Sequence, residues 1–187
     1  MRKKRKHLKG FSLGEVLLSI AVLVSGILPI FASLSRGYRT SIDGRNLIIA
    51  SGLAQEGVEL LQNVRNNSLL QESNSDFSVW LPDSGTSWDD CRIDILDPAL
   101  DDPADRISCG QSSFDLVEGA DGMTHTGGSG MFKRRIFLDY DGSTETLDVV
   151  SAVYWGGTEP GTFADVRNDC VSANRCTYAE TRLSPWR

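Results

Sequence analysis

Glu15 stands at the head of an apolar run, Val16 to Leu34, and it is the first residue in this chain whose type and place could do chemistry. An ionised carboxylate inside an apolar helix costs about 2.5–3.5 kcal/mol on insertion scales. A leucine would serve a plain anchor better, so the acid has a task that anchoring does not supply. The other candidates point away from catalysis. Cys91, Cys109, Cys170 and Cys176 make an even count, which in an exported domain reads as disulfides. Four cysteines allow three pairings, and the shortest loops favour Cys91–Cys109 and Cys170–Cys176. A metal is not expected. No C-x-x-C occurs, and the two histidines are His7 in the basic start and His125 in a Gly-rich loop. Asp139-Tyr-Asp141-Gly142-Ser143-Thr-Glu145 has calcium-loop ingredients. Its glycine falls at the fourth place rather than the sixth, and a hairpin turn is the better reading. Asp97, Asp101, Asp102 and Asp105 read as a solvated acidic loop. Any Ser–His or Cys–His pair would have to use His125, and no Gly-rich phosphate motif is present, so neither an enzyme nor a cofactor is expected.

The elements that position Glu15 begin with charge. Arg2, Lys3, Lys4, Arg5, Lys6 and Lys9 precede Gly10, and they are six of the 19 basic residues in the chain. Without them 13 basic residues face 25 acidic ones, a net charge of −12. That balance argues against a general nucleic-acid binder, because phosphate binding rests on Lys and Arg. Lys133-Arg134-Arg135 is the one dense basic patch left, and it reads as the solvated start of a strand. Val16 to Leu34 is 19 residues, about the length that spans hydrocarbon, interrupted by Ser19, Ser25, Gly26, Pro29 and Ser33. The basic start would stay cytoplasmic and send the rest outward. An ordinary signal peptide would also have a basic start and an apolar core, but Ser33-Leu34-Ser35 is a poor cleavage site and such signals have no use for Glu15. An uncleaved anchor is the other plain alternative.

One long helix is expected over roughly 12 to 67. After the apolar run, Leu34, Tyr38 and Ile42 and then Leu47 to Val64 keep a one-sided stripe. Pro29 inside an apolar helix should kink rather than end it, and Asn66-Asn67-Ser68 is the expected stop. From Leu70 to Gly130 the chain is turn-rich and acidic, with short strands expected near 77–81, 91–96 and 114–117. The clearest β signal follows. Met131 to Tyr140 leads into Asp141-Gly142, a hairpin dipeptide. Thr146 to Trp155 then returns with near alternation, and Thr177 to Leu183 could join the same sheet. The expected fold is α+β: a long N-terminal helix whose amphipathic half packs on a small C-terminal antiparallel sheet.

Gly10-Phe11-Ser12-Leu13-Gly14-Glu15 resembles the processing site of type IV prepilins and pseudopilins. The resemblance rests on a short basic leader, Gly before the cut, Phe after it, and Glu at the fifth mature position. It covers about the first quarter of the chain. Gly14 departs from the large aliphatic that the family often has there. The late strands ending in Thr-Arg-Leu-Ser-Pro-Trp also look, weakly, like minor pilins resembling the type IV pilus modification protein. The resemblance implies a pilin-like fold in three parts. Residues 1–10 would be a cleaved leader, 11–35 a transmembrane and filament-core half-helix, and 36–187 an exported globular domain that includes the helix to about 67. It implies a prepilin peptidase that cuts between Gly10 and Phe11 and N-methylates Phe11. It gives Glu15 a partner, the N-terminal amine of a neighbouring subunit. Other pilin subunits and the pilus assembly machinery would be the further partners. The protein would first sit in the cytoplasmic membrane as a single-pass chain, and later in a cell-surface filament.

Overall fold

The computed structural model describes residues 12–72, 81, 87–93, 107–119, 122–125, 129–156 and 159–184. The cleavage pair Gly10–Phe11, residues 77–80, the turn at 82–85 and the acidic cluster Asp97 to Asp105 lie outside them. The chain divides into two units, Met1–Asp43 and Gly44–Arg187.

Helix α1 is Leu13–Glu72 and carries Pro29 within it. Proline removes one N–H and so frees the carbonyl four residues back, but the helix continues. It also runs past Asn66-Asn67-Ser68, the expected stop. In the first unit every described side chain up to Ile42 is exposed. From Asn46 onward the helix has a buried stripe: Asn46, Ala50, Leu53, Ala54, Val58, Leu61 and Val64. The spacing of three and four is that of one helix face.

Among its described residues the second unit holds a seven-stranded antiparallel sheet. Its strands are β1 Ser87–Ile93, β2 Ile107–Ser108, β3 Asp115–Gly119, β4 Gly122–Thr124, β5 Phe132–Asp141, β6 Thr146–Tyr154 and β7 Cys176–Leu183. Strand β5 is the organiser. It pairs β6 along its whole length, β1 near its end and β3 near its start. Strand β7 pairs β6 in continuous register from Leu147↔Leu183 to Tyr154↔Cys176. Alternation along β6 sends Leu147, Val149 and Val153 to cores shared with Leu61, Val64, Ala50 and Leu53 of α1. The other set, Val150, Ala152 and Tyr154, faces a second core with Phe137, Val166, Cys170 and Cys176.

That second core exists because a short helix, α2 Phe163–Asp169, crosses between β6 and β7. It was not expected. Its start is fixed by the Asp165 carboxylate, which accepts from Thr162 N at 3.1 Å and Thr162 Oγ1 at 2.7 Å. The Asp89 carboxylate accepts from Phe163 N at 2.9 Å, tying α2 to β1.

The hairpin between β5 and β6 falls where expected but has a different loop. Register from Asp141↔Thr146 leaves four residues, Gly142 to Glu145, between the strands. The left-handed residue is Glu145, at φ 53°, rather than Gly142. A two-residue turn would need positive φ at its central pair. Here Asp141 instead caps the loop with its own carboxylate.

Candidate functional site

Ser12 opens α1. Its carbonyl accepts from Glu15 N at 2.9 Å and Val16 N at 3.2 Å. Glu15 therefore sits in the first turn, ahead of the apolar run rather than inside it. Two consequences follow. The first-turn N–H groups and the helix dipole favour an acid there by about 0.3–1 kcal/mol. Ser12 and Glu15 also have the S-x-x-E spacing of a helix start, a signal in the sequence that the apolar reading passed over. Behind Glu15 the helix is long and apolar enough to cross a membrane. Its most apolar 18-residue window has a mean hydropathy of 2.4, and none of that window is buried. Leu17, Leu18, Val22, Leu23, Leu28 and Phe31 are all more than half exposed. A helix that is apolar and uncovered over this length has its proper surroundings elsewhere, in lipid or against other helices.

The cysteines pair as Cys91–Cys109 and Cys170–Cys176, and no described cysteine is free. The first bond joins β1 to the stretch after β2. The second closes the turn from α2 into β7.

Lys133-Arg134-Arg135 is not the solvated strand start that its composition suggests. Arg134 is fully buried and Arg135 is nearly so. Successive side chains on a strand point to opposite faces, so each arginine locks a different layer. Arg134 turns to α1, donating to Leu53 O at 3.4 Å and Ile93 O at 3.1 Å, with Glu56 Oε1 3.4 Å away. Arg135 turns to the α2 side. It donates to Asp89 O at 2.7 Å, Pro160 O at 2.6 Å and Gly161 O at 3.2 Å, and it pairs with Asp90 and Glu159. Its guanidinium also lies 4.9 Å from the Phe137 ring centre and 5.2 Å from that of Phe114. Buried guanidinium groups need acceptors close by, and each of these reaches backbone carbonyls and a carboxylate. Both are scaffold.

His125 is buried rather than set in an open loop, and its Nε2 lies 3.2 Å from Arg134 O. Gly130 lets the chain pass close to β3, where a β-carbon would overlap the carbonyl of Leu116. Burial first, and then the Glu159 carboxylate, push the Tyr154 hydroxyl well above its ordinary range. Among the described residues no cluster of three or more His, Cys, Asp or Glu could hold a metal ion. Asp141 spends its carboxylate on the hairpin, accepting from Ser143 N at 2.9 Å, Ser143 Oγ at 2.6 Å and Thr144 Oγ1 at 2.8 Å.

Compared with protein-family models, with curated proteins and with solved structures, the chain matches none.

Proposed function

We propose that this chain is a minor pilin or pseudopilin subunit, assembled through its N-terminal helix into a type IV pilus-like filament. The observation that carries the reading is Glu15 in the first turn of a helix whose following apolar window is wholly uncovered. The motif Gly10-Phe11 with Glu15 supplies the rest. Prepilin peptidase would remove residues 1–10 on the cytoplasmic side and methylate Phe11. The Glu15 carboxylate would then meet the free amine of a neighbouring subunit, an ion pair worth most where water is excluded. Apolar faces from Phe11 to Leu34 would line the filament core, in head-to-tail contacts that propagate rather than close. The second unit, with its helix on a disulfide-held sheet, would be the pilin-like exported part.

Two measurements test this. Mass spectrometry of the N-terminal peptide should find a start at Phe11 carrying one extra methyl, in sheared surface material as well as in membranes. A start at Met1 would mean an anchor alone. Glu15→Leu should leave membrane insertion intact and reduce incorporation into the sheared fraction by roughly tenfold or more, the effect of losing one desolvated ion pair. Incorporation of that variant at the normal level would remove the filament reading. It would leave the second one, an exported domain held by a membrane helix with no assembly role, which the same uncovered helix also fits.

A further inference from the structure

Among the described residues strand β7 pairs only with β6 and is an edge of the sheet. Trp155 N donates to Arg175 O at 3.0 Å, in line with the β6–β7 register. An antiparallel ladder alternates pairs that exchange hydrogen bonds with pairs that do not. Thr177, Ala179, Thr181 and Leu183 therefore turn their backbone groups to β6. Tyr178, Glu180 and Arg182 turn theirs away, and the bond from Cys176 N to Val171 O follows the same parity. Among the described residues, none supplies a backbone partner to the outward groups of Tyr178, Glu180 or Arg182. An uncovered edge of this kind is a template for another strand.

Charge along that edge chooses the partner. Glu180 and Arg182 are both exposed and lie on the same face, Glu180 beside Arg167 and Arg182 beside Asp148. We propose that β7 pairs antiparallel with β7 of a second copy of this chain, about a two-fold axis through Thr181. In that register each Glu180 lies directly across from the other copy's Arg182, with Thr181 facing Thr181 and Ala179 facing Leu183. Opposite charges directly across from each other stabilise a strand pair, and like charges oppose it. Shifting the two-fold to Glu180 would set two carboxylates face to face. Shifting it to Ala179 would lose both charge pairs. The contact is isologous, so it closes at a dimer. It is a property of the second unit and does not depend on the filament reading.

The two-fold reverses β7 and with it the part of α1 packed beside the sheet. Two copies therefore meet with those helix segments antiparallel. Pairing is tested in detergent, which keeps the full chain with its apolar helix in solution.

The test is cysteine cross-linking of the full chain. Facing residues of a pair without mutual hydrogen bonds have Cα atoms about 4.5 Å apart, within disulfide reach. Thr181→Cys should give a covalent dimer on mild oxidation, while Ala179→Cys and Glu180→Cys should give little. Adding Glu180→Arg to the Thr181→Cys chain puts Arg across from Arg at both places. Adding Arg182→Glu puts Glu across from Glu. Each should lower the dimer yield roughly tenfold. Mixing the two should restore it, because the two basic side chains of one variant then face the two acidic side chains of the other. A misfolded chain would not be rescued by mixing. Absence of cross-linking at Thr181, or equal yields from the charge variants alone and mixed, would overturn the proposal.

Discussion

The two halves of α1 share one secondary structure and obey different rules. Up to Ile42 the helix has apolar residues all round, and all of them are exposed. Beyond Gly44 a one-sided apolar stripe from Ala50 to Val64 is buried under the sheet, while Ile48 and Ile49 stay exposed beside it. The comparison teaches what an apolar residue means in each setting. In the second half it contributes to the fold of its own unit, at about 1.5–3 kcal/mol for a fully buried aliphatic side chain. In the first half nothing among the described residues covers it, so it adds no burial to that fold. Its worth must be collected from another phase or another molecule.

The largest contrast should come from the same truncation made on each side. Leu61 is fully buried in the core with Leu138, Leu147 and Val149. Leu61→Ala should destabilise the second unit by about 2–5 kcal/mol, transfer and cavity together. Leu23, 60% exposed, should tolerate the same change within about 0.5 kcal/mol. Urea unfolding of the full chain in detergent, followed by tryptophan fluorescence, measures both. Equal effects would mean that the two halves do not differ as described.

A smaller contrast sharpens the comparison within the buried half. At Gly57 α1 lies tightly against the sheet. A β-carbon there would collide with Ser151 Oγ and sit 3.1 Å from Arg134 Cδ and 3.2 Å from Ile136 Cδ1. Gly57→Ala should cost about 1–3 kcal/mol as overpacking. Gly52 lies five residues earlier on the exposed side, with nothing near its missing side chain. Gly52→Ala should stabilise by about 0.5–1 kcal/mol, the propensity difference in a helix interior. The signs are opposite, so thermal midpoints of the two variants decide the matter without reference to magnitude.

Much of this was legible in the sequence because it is local. Helical spacing gave α1, and alternation with Asp141-Gly142 gave the β5–β6 hairpin. Thr177 to Leu183 gave β7 to within a residue, and loop length gave both disulfides. What the sequence hid is long-range. Arg134 and Arg135 look like solvent residues until Leu53, Ile93, Asp89 and Pro160 bring their carbonyls from distant segments. Helix α2 has seven residues and one fully buried side chain, Val166, too little for a periodic signal. Its one trace was β6, whose outer set Val150, Ala152 and Tyr154 is too apolar to face water. The first unit is the reverse case. Its pattern is plain, and the resemblance on which the proposed reading rests lies partly in Gly10 and Phe11, outside the described residues.

The smallest effect expected belongs to the hairpin, where the sequence has calcium-loop ingredients in a stretch read as a turn and the structure shows that turn capped. Hydrogen bonds from the Ser143 hydroxyl and amide, and then from the Thr144 hydroxyl, hold the Asp141 carboxyl down to about 2, against an ordinary 3.8. The sign follows from linkage. A depressed acid binds its proton less readily in the folded state, so its contribution is fully present above the unfolded value. It is lost as pH falls from about 4 through about 2. The group lies on the surface, so the loss should loosen the turn without unfolding the sheet. Carboxyl NMR titration should give Asp141 a midpoint near 2, and Ser143→Ala with Thr144→Ala should return it toward 3.8. Adding calcium should leave the Asp141 resonance where it was, since its oxygens are already engaged by the loop. A calcium-dependent shift there would favour a metal site over the hairpin turn that the sequence and the structure both support.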